Sequence, residues 1–190
     1  MTTRQEQARK TKHHIYRTAT SLFATSSYEQ VTIRDICKSA NISIGGFYHY
    51  FDSKMDLLNA GFEMFDEQCR EHYQEKTFEN NIQAIEFLVQ DQSSSINSIG
   101  YGAATQIFKS QVTSDDKYIL NEERFFYQTL YQHVLQAIEQ KELKGDAKTI
   151  TSEILMITRG IIYDWGLHEG SYDLVEKSLK MVRMVLKYYQ

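Results

Sequence analysis

The sequence of 190 residues contains no proline, and its nine glycines are scattered rather than clustered. The rings that kink or stop helices are therefore missing. This favours long helices joined by few rigid turns. Cysteine is almost as scarce: Cys37 and Cys69 each sit in a helical pattern, which excludes a disulfide framework. Cys37 together with His13 and His14 lacks any metal-ligand spacing, so neither a metal nor a cofactor is expected. No run of eighteen apolar residues occurs, and the opening "MTTRQEQARKTKHH" has basic residues with no apolar segment behind them. A cytoplasmic protein with no membrane partner is expected. A phosphate loop and a zinc-binding His-Glu motif are also missing, and neither Ser152 nor the cysteines have a recognisable general base. These gaps argue against an enzyme.

What is present is divided by charge. Residues 1–58 carry a net +3 and the remainder a net −7. A positive head on an acidic body suits a head that meets phosphate, although a solvated N-terminus has the same composition.

Helical periodicity runs through most of the chain. Ile15, Ala19, Leu22 and Phe23 recur at i, i+4, i+7 and i+8, which predicts one amphipathic helix over 5–26 with its basic N-terminal half pointing outward. Thr32 is an N-cap candidate for a short helix carrying Ile33, Ile36 and Cys37 and ending near Ala40. Asn41 tolerates the left-handed conformation found past helix ends, and Ser43 is a second cap two residues later. Two short helices joined by about three residues form a helix-turn-helix.

The second short helix carries the stretch "ISIGGFYHYFDSK". Phe47 and Phe51, four apart, share a face and are expected to be buried; Gly45, Gly46 and His49 share the other, flanked by Tyr48 and Tyr50. A face without bulk lets a backbone approach base edges closely. The alternative is a glycine loop before a helix that begins at Phe47.

From Ile15 to Leu58 the chain resembles the N-terminal DNA-binding domain of the TetR family of transcriptional regulators. The resemblance rests on Ile15, Ala19, Leu22, Phe23, Tyr28, Thr32, Ile36, Ala40, Ser43, Gly45, Tyr48, Phe51, Lys54 and Leu57. Ser27 and Asn41 stand where the family usually has glycine, Cys37 where it has alanine, and Gly46 where a small polar residue is common. The resemblance implies that Thr32, Tyr48, Tyr50 and Lys54 hold phosphates while Ile44, Gly45, Gly46 and His49 face bases; Ser43 belongs to the same surface. Arg34 is a further candidate for a base or a phosphate. No Arg, Gln or Asn stands on the reading face for a bidentate base contact, so specificity is expected to lean on DNA shape, water and paired half-sites.

The expected architecture is all-α: a three-helix helix-turn-helix DNA-binding domain over 1–52, then a helical ligand-binding and dimerisation domain over 53–190. One helix is predicted over 53–76, and others near 80–97, 100–112, 117–142, 147–168 and 171–189. Ile154, Ile161, Met181, Val182 and Val185 lie on wide apolar stripes of the last two, and in the TetR family such helices pack against their copies in a homodimer. An intramolecular core is the alternative. The centre of the body is aromatic, and Phe62, Phe65, Tyr101, Phe126, Tyr131 and Trp165, with Gln106 and His133 as polar groups, are the candidates for lining a cavity for a small-molecule effector. The expected function is a repressor released from a palindromic operator by that effector; a DNA-binding accessory factor without an effector is the alternative.

Overall fold

The computed structural model describes residues 3–115 and 117–190, and among them every regular element is helical. The order is α1 (Thr3–Thr25), α2 (Ile33–Ala40), α3 (Ile44–Tyr48), α4 (Lys54–Asn59), α5 (Gly61–Gln74), α6 (Asn81–Thr113), α7 (Phe125–Glu139), α8 (Ala147–Leu167) and α9 (Leu174–Tyr189), with a single 3-10 turn at Tyr118–Leu120. In place of proline and glycine, side-chain caps set many of the boundaries. Thr32 and Asp35 form a capping box at α2, and Ser43, Ser53, Asn80, Asp146 and Asp173 each accept a backbone N–H at the start of α3, α4, α6, α8 and α9. Asn41 ends α2 in the left-handed region, with φ 53°.

The predicted helix over 53–76 is two helices, broken at Ala60. Directly after the break, Tyr16 of α1 lies against Gly61: a Cβ there would stand 2.4 Å from its hydroxyl oxygen. The two helices expected near 80–97 and 100–112 run as one long α6 with a kink at Gly100, whose φ of 79° suits glycine. A Cβ at that kink would come within 3.2 Å of the Ala24 backbone, so glycine also lets α6 pass the end of α1. The stretch expected as a helix over 117–142 is instead the 3-10 turn followed by α7.

One apolar core begins in the head with Ile15, Phe23, Ile36, Phe47, Phe51, Leu57 and Leu58 and continues without a break into Ile99, Ala103, Ile107, Ile162 and Trp165 of the body. A second gathers around Ile85, Leu88, Leu130, Val134, Ile150, Ile154 and Val182. The basic half of α1 does not simply face outward. Arg9 and His13 reach Glu67, at 3.4 and 3.0 Å, and Lys12 reaches Glu63 at 3.6 Å, so cations of the head meet the acidic side of α5.

A buried ion pair fixes α7 to α5. Arg124 donates from Nε and Nη2 to the Asp66 carboxylate, at 2.8 and 3.2 Å, and the Phe126 N–H donates to the same carboxylate. The guanidinium also lies over the rings of Phe62 and Tyr118. Removing one partner of such a pair leaves the other charge buried and uncompensated. Arg124→Met should therefore destabilise the fold by roughly 3–5 kcal/mol, measured by urea denaturation; a change within the uncertainty of the wild-type value would mean that the pair is not held as described.

Candidate functional site

The helix-turn-helix is assembled locally. Phe47 and Phe51 are buried and anchor α3 to α1 and α2 within the apolar core. Helix α3 starts at Ile44, so both glycines lie inside its first turn and not in a preceding loop. Ser43 Oγ accepts the Gly46 N–H at 2.9 Å. A Cβ on Gly45 would meet nothing closer than 3.9 Å, so no packing within the chain demands glycine there. The opposite face presents Ile44, Gly45, Tyr48 and His49 to solvent, with Tyr48 52 % exposed. Arg34 is exposed at the start of α2, and Tyr50 is half-buried with its ring edge-on to His49.

Two residues assigned to phosphate are already engaged inside the head. Lys54 Nζ donates to the carbonyls of Tyr28 and Val31, at 2.7 and 2.6 Å, and lies over the Tyr28 ring. Burial draws its pKa down, with Glu29 opposing weakly. Thr32 directs its hydroxyl proton to Asp35 Oδ2 at 2.6 Å, and its backbone N–H goes to the same oxygen. Those hydrogen bonds hold the Asp35 carboxyl below the usual range. Both residues shape the head before they touch anything outside it.

The residues named for the effector site do not converge. Phe62 and Phe65 line an apolar cavity of about 60 Å³ beside the α4–α5 break. Tyr101 is exposed, and Gln106 donates to Glu29, tying the body to the head. Phe126 belongs to the second core, where it packs on Phe65. Tyr131 stacks on Tyr127 at 6.4 Å. His133 bonds Tyr73 through Nε2 and Asn81 through Nδ1, and burial lowers its pKa. Trp165 is core, with its indole N–H donating to the Tyr172 carbonyl. The cavity wall also includes Tyr16, Gln92, Ile96, Arg124 and Arg159, none of them among the candidates for the effector site. They come from three helices and an inter-helix link, and only Tyr16 carried a sequence signal, since it sits beside Ile15 on the predicted first helix. Burial pushes the Tyr16 phenol pKa up to about 12, so the hydroxyl keeps its proton.

The apolar stripe assigned to a partner subunit faces inward. Ile154, Ile161 and Val182 are buried within the chain, and Met181 and Val185 pack partly buried against the same cores. The strongly exposed apolar residues of these helices are others: Met156, Tyr163 and Leu167 on α8, and Met184 and Tyr188 on α9. Among the described residues there is no group of His, Cys, Asp and Glu fit to hold a metal, and no helix is long and apolar enough to cross a membrane.

A helix-turn-helix whose outer face is free, carried on a helical body, defines a DNA-binding regulator. Residues 15–60 match the family described as bacterial regulatory proteins, tetR family. Over 97% of its length the chain is 24% identical to the HTH-type transcriptional regulator AcrR of Shigella flexneri, covering 92% of that protein. Its fold is similar to that of a TetR-family transcriptional regulator from Rhodococcus sp., described as putative, with a TM-score of 0.69 at 13% identity, covering 95% of this chain and 98% of that one. It is also similar to Thermus thermophilus FadR, a TetR family transcriptional repressor solved in complex with lauroyl-CoA, with a TM-score of 0.62 at 18% identity, covering 92% and 93%. The match to the tetR family covers the helix-turn-helix, and over nearly its whole length the chain is similar in sequence and in fold to DNA-binding regulators of that family.

The engaged ammonium of Lys54 separates two roles by experiment. Lys54→Met leaves the Tyr28 and Val31 carbonyls without their donor, and lost hydrogen bonds to a charged group cost about 1.5–3 kcal/mol. The expected outcome is a loss of that order in a denaturation experiment without DNA; unchanged stability would return Lys54 to a purely phosphate-contacting role.

Proposed function

We propose that this regulator is a homodimeric repressor that grips a palindromic operator with two copies of α2–α3 and releases it when a small molecule enters the cavity beside α4 and α5. The body from residue 53 onward carries the effector and dimer functions, and residues 1–52 the reading function. The observation that supports this most directly is the shared wall: Tyr16 belongs to the first helix of the head and also lines the cavity, opposite Gly61 and Phe62. An occupant that displaces Tyr16 or Phe62 changes the angle between head and body. Two heads that no longer fit successive major grooves lose the shared site. The occupant must prefer the DNA-incompetent state, and by linkage DNA weakens its binding by the same factor. A tenfold effect needs about 1.4 kcal/mol of coupling. The FadR relative supports the reading by analogy, since it is a repressor with a small molecule bound.

On the DNA side, Tyr48, His49, Ile44 and the two glycines meet the major groove, with Ser43, Tyr50 and Arg34 at its edges. Thr32 and Lys54 serve chiefly by holding α2 and the Tyr28–Val31 turn in place, through the bonds described above. Displacing Tyr16 without any ligand tests the coupling. Gly61→Ala forces the Tyr16 hydroxyl away from a Cβ otherwise 2.4 Å distant. Fluorescence anisotropy with promoter-derived duplex should show DNA affinity lowered about tenfold, while Tyr48→Ala weakens binding with the cavity intact. Full DNA affinity in Gly61→Ala would remove the shared wall from the mechanism; concentration of bound sites away from promoters would favour the accessory-factor reading.

For the dimer, the exposed residues replace the buried stripe. Met156, Tyr163 and Leu167 follow i, i+7 and i+11 on one face of α8, with open space at Gly160 between them, and Met184 and Tyr188 follow i and i+4 on α9. Exposed apolar groups at helical spacing on adjacent helices favour a self-complementary contact. Leu167→Glu should shift the protein from dimer to monomer in sedimentation velocity at micromolar concentration. A wild-type chain already monomeric under those conditions would contradict the proposal.

A further inference from the structure

The charge distribution around the cavity defines what enters it. Arg159, on α8, lines both the apolar cavity and a neighbouring open groove of about 640 Å³. It is half-buried, and burial draws its pKa down. Its Nε donates to the Leu155 carbonyl at 2.8 Å, and among the described residues no carboxylate lies within ion-pair distance of it. Arg124, the other guanidinium of the wall, is neutralised by Asp66. A partly desolvated cation without a counter-ion is costly, and a bound anion offsets that cost. With Nε committed, the two terminal nitrogens remain as a fork that matches a carboxylate. Deeper in the wall, Gln92 Oε1 is buried and has no hydrogen-bond partner on the chain, so the interior also lacks one polar neighbour.

Ile119 lines both spaces as well, and its 3-10 turn is held by the Ile119 N–H donating to Gln111 Oε1 at 3.0 Å. Ile119 and Arg159 are thus shared by the cavity and the groove. The groove is not suited to a large polyanion: Glu122, Asp146 and Glu153 line it against two cations, Arg159 and Lys148, and Lys148 itself lies 3.9 Å from Glu122. A diphosphate-bearing head would meet three carboxylates.

We propose that the effector is a small amphipathic monoanion whose apolar body enlarges the cavity of about 60 Å³ by displacing Tyr16 and Phe62 as it enters, with one carboxylate seated on Arg159 at its mouth. The proposal rests on the effector reading above and differs from the acyl-CoA seen in the FadR relative. It is tested on the full-length protein without DNA, so its failure leaves DNA binding and release untouched. Decanoate, decanol and decanoyl-coenzyme A are titrated calorimetrically below their aggregation concentrations. Decanoate should bind at least tenfold more tightly than either of the others. Arg159→Gln should reduce decanoate to the level of decanol while leaving decanol unchanged, and Arg159→Lys should keep part of the preference, which guards against a simple folding defect. Decanol binding as tightly as decanoate, decanoyl-coenzyme A binding more tightly, an Arg159→Gln variant with undiminished decanoate affinity, or no binding by any probe would each overturn the assignment.

Discussion

The contact between Tyr16 and Gly61 orders much of this structure. The ring from the first helix of the head occupies the space a side chain at 61 would need, directly after the break between α4 and α5. Around it, the head core runs straight into the body core through Leu57, Leu58, Ile99 and Ile107. Head and body therefore share buried surface, and neither reorients without repacking that junction. Close-packed interiors do not deform continuously. In the proposed mechanism a change at the cavity therefore reaches α2–α3 as a change of position of the whole head.

The same junction explains how charge is used. Sequence assigns a net +3 to residues 1–58, but Arg9, Lys12 and His13 face Glu63 and Glu67 of α5, and Lys54 faces carbonyls of its own head. Fewer cations are left for phosphate than composition suggests. In the reading proposed above, a face of glycines, aromatics and one histidine depends on close approach and on two half-sites held at fixed spacing. The openness at Gly45 has no cause in the packing of the chain, and it suits the close approach to DNA proposed above.

What was legible in the sequence was local. The 3.6-residue period fixes Ile15, Phe23, Phe47 and Phe51 as core, and the caps at Thr32 and Ser43 mark the turns because a cap and its N–H lie three residues apart. The break at Ala60 escaped because periodicity continues across it; its marker is a tertiary contact from Tyr16, far away in the chain. The cavity escaped for a related reason. Aromatic content flagged Phe126, Tyr131 and Trp165, with His133 as a polar group, and these are engaged with Phe65, Tyr127, the Tyr172 carbonyl and Tyr73 respectively. The wall is set instead by Arg159 and Gln92, whose isolation is visible only in three dimensions. On α8 and α9, the most regular apolar stripe is the one that fills the chain's own core, so Ile154 and Val182 drew attention away from Tyr163 and Leu167.

Polar links also cross from head to body, among them Gln106 to Glu29 and Arg9 to Glu67, and they bear on how large a stimulus the switch needs. These groups are partly exposed, and exposed pairs contribute about 0–1 kcal/mol each because water competes for both partners. Their long side chains re-form contacts after a small rotation. The apolar junction differs, since each displaced buried side chain loses its packing neighbours. The resistance to head movement thus lies in the apolar junction, to which Leu58, Ile99 and Ile107 belong and where Tyr16, Gly61 and Phe62 line the cavity. The ligand proposed above would act there against the element that sets the head angle, and an ordinary differential affinity would be enough to turn the equilibrium.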